Sequence, residues 1–201
     1  MIVVRTVLTE DDIDTYIAVR NLVHPQTPMP REVVVDDRRQ PDHLDLIAER
    51  DGEPVGAASA EKFGGAPDGD LAFLSMRVIR EHRHVGVGTA LYRRASEHAR
   101  ELGKNAFRVM VRTDDEDSLA YYGAHGFEER GRMQDLSLDL ASTGIRPVAP
   151  DGIEIVPLSE EHERGAYGVA LEADADIPTA GPITTGSFDR WRVPGAHHHG
   201  R

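Results

Sequence analysis

The spacing of apolar residues changes several times along this chain, and each change predicts an element. Ile2 to Val7 alternates as a first strand. Thr9 then stands where a helix N-cap belongs, with Asp11 and Asp12 in the first turn of a helix through Ile13, Ile17 and Val19. Pro25-Gln26-Thr27-Pro28-Met29-Pro30 must break that helix. Asp42 to Glu49 and Pro54 to Phe63 read as two strands around a tight Asp51-Gly52 turn, followed by the loop Gly64-Gly65-Ala66-Pro67-Asp68-Gly69. From Leu71 an apolar run continues past Arg77 to Ile79, a length that suits a strand buried on both faces. A charged turn, Arg80 to His84, and Gly86-Val87-Gly88 come next. From Thr89 the period becomes helical, through Ala90, Leu91, Ala95, Ala99 and Leu102, and Gly103 stands at the C-terminal cap. Ala106 to Val111 reads as a fifth strand, and Asp117-Ser118 opens a short helix through Tyr121 and Tyr122 that ends at Gly126. Leu136, Leu138 and Leu140 form a last alternation.

Composition changes this picture little. The chain of 201 residues has room for one large domain, or one ordinary domain with an appendage. A net charge of -12 argues against a nucleic-acid footprint and favours cationic or amine-bearing partners. With no cysteine there is no disulfide framework, thiolate nucleophile or cysteine zinc site. The N-terminal apolar run is too short for a signal peptide and no stretch approaches membrane-spanning length, so a cytoplasmic protein is expected. Lys62 and Lys104 are the only lysines among 23 basic residues, which reads as a bacterial coding bias rather than a function.

The strand, glycine turn and helix between Leu71 and Gly103 form a phosphate cradle by their physics. Glycines at a helix start let the backbone approach a ligand, and the unpaired first-turn amides favour an anion. A Walker A loop is excluded, because Gly88-Thr89 lacks the lysine, and a dinucleotide fingerprint is excluded by Leu91 at its third glycine. What remains is Arg83-His84-Val85-Gly86-Val87-Gly88. This resembles the acyl-coenzyme A signature of the GNAT superfamily of N-acetyltransferases, Arg/Gln-x-x-Gly-x-Gly/Ala after the fourth strand. The order of elements over residues 1 to 141 resembles that family too. The resemblance implies an α/β fold with a mixed, mostly antiparallel sheet flanked by helices, and acetyl-CoA as co-substrate. It implies cofactor contacts from Met76, Arg77 and Val78 on the strand, from Arg83, His84, Val85, Gly86, Val87, Gly88 and Thr89 in the cradle, and from Asp115.

Asp115 to Phe127 is similar to a second family segment, Asn-x-x-Ala-x-x-x-Tyr-x-x-x-Gly-Phe, with Asp115 and Ser118 replacing the usual asparagine and alanine. Tyr122 falls on the family tyrosine, the implied general acid for the departing thiolate, and a phenol is close to a thiol in pKa. The neighbouring Tyr121 leaves the register open by one residue. The base is less defined. No carboxylate lies on the strand from Leu71, so Glu61, Glu49 and His24 stand as candidates, with Glu61 foremost. His82 and His84 lie in the cradle loop, and the oxyanion donor is expected at the backbone N–H near Met76.

After the linker Ile145 to Gly152, the segment Ile155-Val156-Pro157-Leu158-Ser159-Glu160-Glu161 echoes Arg5 to Asp11 at a shift of 150 positions, and Val169 and Pro178 fall on Val19 and Pro28. The expected organisation is a GNAT domain at 1–145 and a partial second repeat at 151–193, with an unstructured 194–201 end that includes His197-His198-His199. If packed, the repeat should bury Ile155, Val156, Leu158, Tyr167, Val169 and Leu171. The expected function is acetyl or short acyl transfer to a primary amine by direct attack. The alternatives are a non-catalytic acyl-CoA-binding or regulatory module and a nucleotide-binding protein using the same cradle. The acceptor is expected to be a small molecule or a peptide, with neither nucleic acid nor membrane as partner and a homodimer as an option.

Overall fold

In the computed structural model of the chain, five strands form one sheet: β1 (Ile2–Thr6), β2 (Leu44–Arg50), β3 (Glu53–Lys62), β4 (Leu71–Val78) and β5 (Ala106–Arg108). They lie in sequence order, antiparallel from β1 to β4, with β4 and β5 parallel. The helices are α1 (Glu10–Val23), α2 (Arg31–Asp37), α3 (Val87–Glu101), α4 (Glu116–Ala124), α5 (Glu160–Asp174) and α6 (Phe188–Trp191). The structure describes residues 1–63, 69–134, 136–139, 144, 148–174, 176 and 188–192. Loop residues 64–68, Leu140, linker residues 145–147, Pro178 and the 194–201 end lie outside the described residues. The described residues fall into two compact units, residues 1–114 and residues 115–192.

Local chemistry sets the ends of the elements in the first unit. At α1 the Thr9 hydroxyl accepts from the Asp12 N–H, while the Asp12 carboxylate accepts from the Leu8 and Thr9 amides, completing a capping box. Those amides, with Arg5, hold the Asp12 carboxyl well below the usual carboxylate range. The β2–β3 hairpin turns at Asp51 (φ 53°) and Gly52 (φ 86°), two left-handed residues in succession, as a primed two-residue turn requires. A register shift at Ala48 and Glu49 then displaces the pairing by one residue.

Adjacent strand residues face opposite ways, so Gly56 and Ala57 separate two cores. Ala57 shares one core with Val7, Ile13, Tyr16, Val19, Val34 and Ile47, under α1 and α2. Gly56 faces α3. A Cβ there would lie 3.0 Å from Leu91 Cδ1, 3.1 Å from Val87 Cγ1 and 3.2 Å from the Arg77 carbonyl oxygen. The first turn of α3 therefore rests on the β3 backbone.

Several expectations need correction. β4 is not buried on both faces: Ala72 and Leu74 are buried, while Ser75 to Val78 are half-buried. β5 stops at Arg108 rather than Val111, and α3 begins two residues before Thr89. The alternation at Leu136 and Leu138 makes no strand among the described residues, and both side chains are exposed. Alternation permits a strand, but only a ladder partner stabilises one.

In the second unit, α4 is capped by Asp115, and Tyr167 of α5 packs on Phe188 and Trp191 of α6 at centroid distances of 5.4 and 5.7 Å. Ile155 to Leu158 form no strand. Ile155, Val156, Leu158, Val169 and Leu171 are exposed in the single chain, and Tyr167 is partly covered.

Gly56→Ala places a methyl group within 3.2 Å of three atoms, one of them backbone. Overpacking of this kind costs about 1–3 kcal/mol. The expected result is a lower midpoint in urea unfolding with an unchanged m-value; an unchanged midpoint would show that α3 does not rest on β3 as described.

Candidate active site

β4 and β5 pair only from Leu71–Ala106 to Phe73–Arg108, and β4 continues to Val78 without that neighbour. Two bonds set the phase of the β3–β4 ladder, Phe63 N–H to Leu71 O (3.2 Å) and Ile79 N–H to Val55 O (3.0 Å). Odd-numbered residues of β4 thus direct their backbone groups at β3, and Leu74, Met76 and Val78 direct theirs to the side where β5 has ended. The Met76 N–H lies on this open edge. Its carbonyl accepts from the Arg77 guanidinium (2.9 Å), and the Val78 carbonyl accepts from Arg83 Nε (3.3 Å). Arg77, by the same phase, has its backbone on β3, so of the three strand residues named from the sequence it offers only a side chain.

Beyond β4 the chain makes a 3-10 turn at Arg80–His82, an extended Arg83, and left-handed residues at His84 (φ 60°) and Gly86 (φ 95°) before α3. Gly86 is the N-cap of α3, with no side-chain cap. The first helical bond runs from Ala90 N–H to Gly86 O (3.0 Å). The amides of Val87, Gly88 and Thr89 consequently have no acceptor one helical turn before them. Val87 is buried against Gly56, whereas His84, Val85, Gly86 and Thr89 are exposed. Successive amides at an exposed helix start suit an anion, and the adjoining strand edge suits an extended amide chain.

A polar cluster lies on the α1/α2 face of the same sheet. His43 just precedes β2, with its side chain only 5% exposed. Its Nδ1 lies 2.9 Å from Glu61 Oε2 and its Nε2 3.0 Å from Asp45 Oδ1. A neutral imidazole has one donor nitrogen, so two carboxylate partners require the imidazolium. Burial opposes that charge, but the hydrogen bonds and negative charges of Asp45 and Glu61 outweigh it and lift His43 to about 10. Nearby, burial pushes the Tyr16 phenol up to about 12 and also raises Asp37.

The sequence candidates separate clearly in this geometry. Glu61, at the end of β3, pairs across the sheet with Phe73 of β4 and is partly exposed. Glu49 is engaged by Arg5 at 2.7 Å, and Arg5 also pairs with Asp12, so Glu49 belongs to a structural ion-pair network. His24 caps α1. In the second unit, Tyr122 is buried between Tyr121 and Phe127, both edge-on to it at 5.4 and 5.0 Å. Asp115 has Oδ1 on the Ser118 N–H (3.2 Å) and Oδ2 on the Ser118 hydroxyl (2.7 Å), which makes it a helix cap.

His43 and Asp45 are absent from the sequence-level candidates. Counting back from the Asp51-Gly52 turn would have placed His43 opposite Ala60. The register shift in β2 moves that partner to Glu61.

A sequence model of the Acetyltransferase (GNAT) family matches residues 9–127, more than half of the chain, and the chain belongs to that family. No curated protein matches it. Among solved structures, AAC(6')-Iy in complex with the bisubstrate analog CoA-S-monomethyl-acetylneamine aligns with a TM-score of 0.57 at 18% identity, over 69% of this chain and 99% of that one. The aminoglycoside antibiotic 6'-N-acetyltransferase AAC(6')-Ih from Acinetobacter baumannii aligns with a TM-score of 0.54 at 22% identity, over 70% and 99%. The ribosomal-protein-S18-alanine N-acetyltransferase from Escherichia coli aligns with a TM-score of 0.53 at 18% identity, over 64% and 79%. At such identities the likeness establishes a shared fold, the mixed and mostly antiparallel sheet flanked by helices. Among the described residues no helix is long and apolar enough to cross a membrane.

The His43 cluster makes stability depend on pH with a definite sign. The unfolded histidine titrates near 6.5 and the folded one near 10. The cluster's contribution is therefore present in full below about pH 6.5 and is lost as the pH rises through about 10. Melting temperatures of the wild type should fall across that window, and His43→Asn should flatten the fall. Parallel curves for the two proteins would contradict the imidazolium.

Proposed function

We propose that this protein transfers an acetyl or short acyl group from acetyl-CoA to a primary amine. The observation that carries the reading is the open edge of β4 followed, after a short turn, by an uncapped helix start with Gly86 in a left-handed conformation. Acetyl-CoA supplies the acyl group as a thioester. The amides of Val87, Gly88 and Thr89, with Arg83, would take its pyrophosphate, and His84 and Val85 would border it. The edge at Leu74, Met76 and Val78 would bond its pantetheine amides. Arg77 contributes through its side chain, and Asp115 acts first as the α4 cap.

The residues divide the proton and charge movements between them. The acceptor nitrogen bonds the acyl carbon and gives its proton to Glu61, and the Met76 N–H takes the charge developing on the carbonyl oxygen. The role of protonating the departing thiolate sulfur goes to Tyr122 from its match to the family segment alone. An acidic chain suits an amine acceptor, because a negative field attracts ammonium groups. The relatives AAC(6')-Ih and the S18-alanine transferase are named for an aminoglycoside and for an alanine of ribosomal protein S18, so the shared fold supports the amine class and leaves the acceptor to the loops.

Gly86→Val forces a β-branched residue into a left-handed conformation and should abolish acetyl-CoA binding in calorimetry; unchanged affinity would overturn the cradle. Tyr122→Phe should leave binding intact and lower turnover by about a hundred-fold or more. Thiol release over a panel of amines reads turnover. Tight acetyl-CoA binding with no release for any amine would replace the transferase by a non-catalytic binding module.

We also propose that residues 151–193 are a partial second repeat. α1 begins at Glu10 and α5 at Glu160, which continues the 150-residue shift from sequence into structure. Cutting the chain after Ala149 should therefore leave acetyl-CoA affinity unchanged, and loss of binding in a folded truncated protein would make the tail part of the site.

A further inference from the structure

Glu61 stands in the proposed reaction as the proton acceptor, and a carboxylate at a strand end needs something to hold it. Three features of its surroundings go beyond that role. One carboxylate oxygen, Oε2, lies 2.9 Å from His43 Nδ1, and no bond to the other, Oε1, is found among the described residues. His43 is itself held at Nε2 by Asp45 Oδ1, and the side chains of His43 and Asp45 are 5% and 1% exposed while that of Glu61 is 36% exposed. The three groups come from the start of β2 and the end of β3, elements joined along their length by ladder bonds. The chain of bonds runs from a buried anchor to a carboxylate at the surface.

We propose that His43, anchored by Asp45, is the positioning residue for Glu61: it binds Oε2 and leaves Oε1 to meet the acceptor amine. The inference rests on the reading of Glu61 given above. The imidazolium does two things for that carboxylate. It fixes the side-chain torsions, so one oxygen is presented in a constant place instead of sampling rotamers. It also balances one of two adjacent negative charges, since Asp45 and Glu61 would otherwise repel through the same ring position. Among the described residues, Arg20 and Tyr16 from α1 and Asp37 from α2 also face this cluster. Arg20 is the cation on that side, whereas Asp37 adds to the negative field and itself interacts with His43, Asp45 and Glu61.

Coupling between two ionisable groups is reciprocal, so whatever Glu61 does for the imidazolium, the imidazolium does for Glu61. This allows the clamp to be read without turnover. Nitrogen-15 NMR of the full chain would follow the His43 ring through a pH titration in wild type and in Glu61→Gln. The expected result is a His43 midpoint at least one pH unit lower in Glu61→Gln. An unmoved midpoint overturns the proposal. The kinetic arm uses His43→Asn, which keeps an N–H near the Nδ1 position but cannot carry charge. Its kcat/KM profile should lose its acid limb at a higher pH than wild type by about one unit, with acetyl-CoA affinity unchanged. An acid limb at the wild-type position in a folded His43→Asn protein also overturns the proposal. Asp45→Asn, which weakens only the anchor, should move the limb in the same direction by less, and it serves if His43→Asn does not fold. If the midpoint drops in Glu61→Gln while that variant keeps wild-type kcat/KM, the clamp is supported and Glu61 loses its role as base.

Discussion

The candidate site depends on how closely a helix approaches a strand. α3 can begin after the short turn that follows β4, with its first-turn amides unpaired within the helix, because Val87 and Leu91 settle onto β3 at a residue without a side chain. Any larger residue at Gly56 would lift the first turn of α3 away from the sheet. The helix start would then move relative to the strand edge that precedes it. An anion cradle is a set of directions as much as a set of donors, so its function follows from this packing. Gly86 acts differently. Its neighbour Ile2 Cδ1 would be 3.7 Å from a Cβ, an ordinary contact, and what selects glycine there is the left-handed backbone.

The two faces of the sheet have different tasks. The α3 face is apolar, with Leu46, Ala58, Ala60, Leu74, Leu91 and Ala95 almost wholly buried. The α1/α2 face begins apolar at Val7, Ile47 and Ala57 and turns polar toward Asp45, Ser59 and Glu61. Buried charges rarely strengthen a core relative to apolar residues of equal volume. The proposed role of Glu61 and His43 in the reaction gives the trio of charges at the polar end of this face a purpose other than stability.

The aminoglycoside antibiotic 6'-N-acetyltransferase and the ribosomal-protein-S18-alanine N-acetyltransferase share the fold of this chain. The proposed donor site needs a strand divergence and a helix start. The first unit of this chain contains both.

Much of the frame is legible in local sequence. Thr9 and Asp12 announce the start of α1, Asp51-Gly52 a primed turn, and Arg83 to Gly88 a cradle, because each is decided by a few neighbouring residues and their backbone preferences. Glu61 is legible as a carboxylate at a strand end, but its task is not. Three matters were left to the tertiary structure. The separation of β4 from β5 after Phe73 depends on where a partner strand ends, which the apolar run of Leu71 to Ile79 does not encode. The apolar alternation at Leu136 and Leu138 could not announce that it would lack a ladder, since pairing is a property of two segments. The union of His43, Asp45 and Glu61 turns on a one-residue shift at Ala48 and Glu49, and such a shift decides which side chains share a face. Local rules determine where the elements begin and turn, and long-range register determines which charged groups meet.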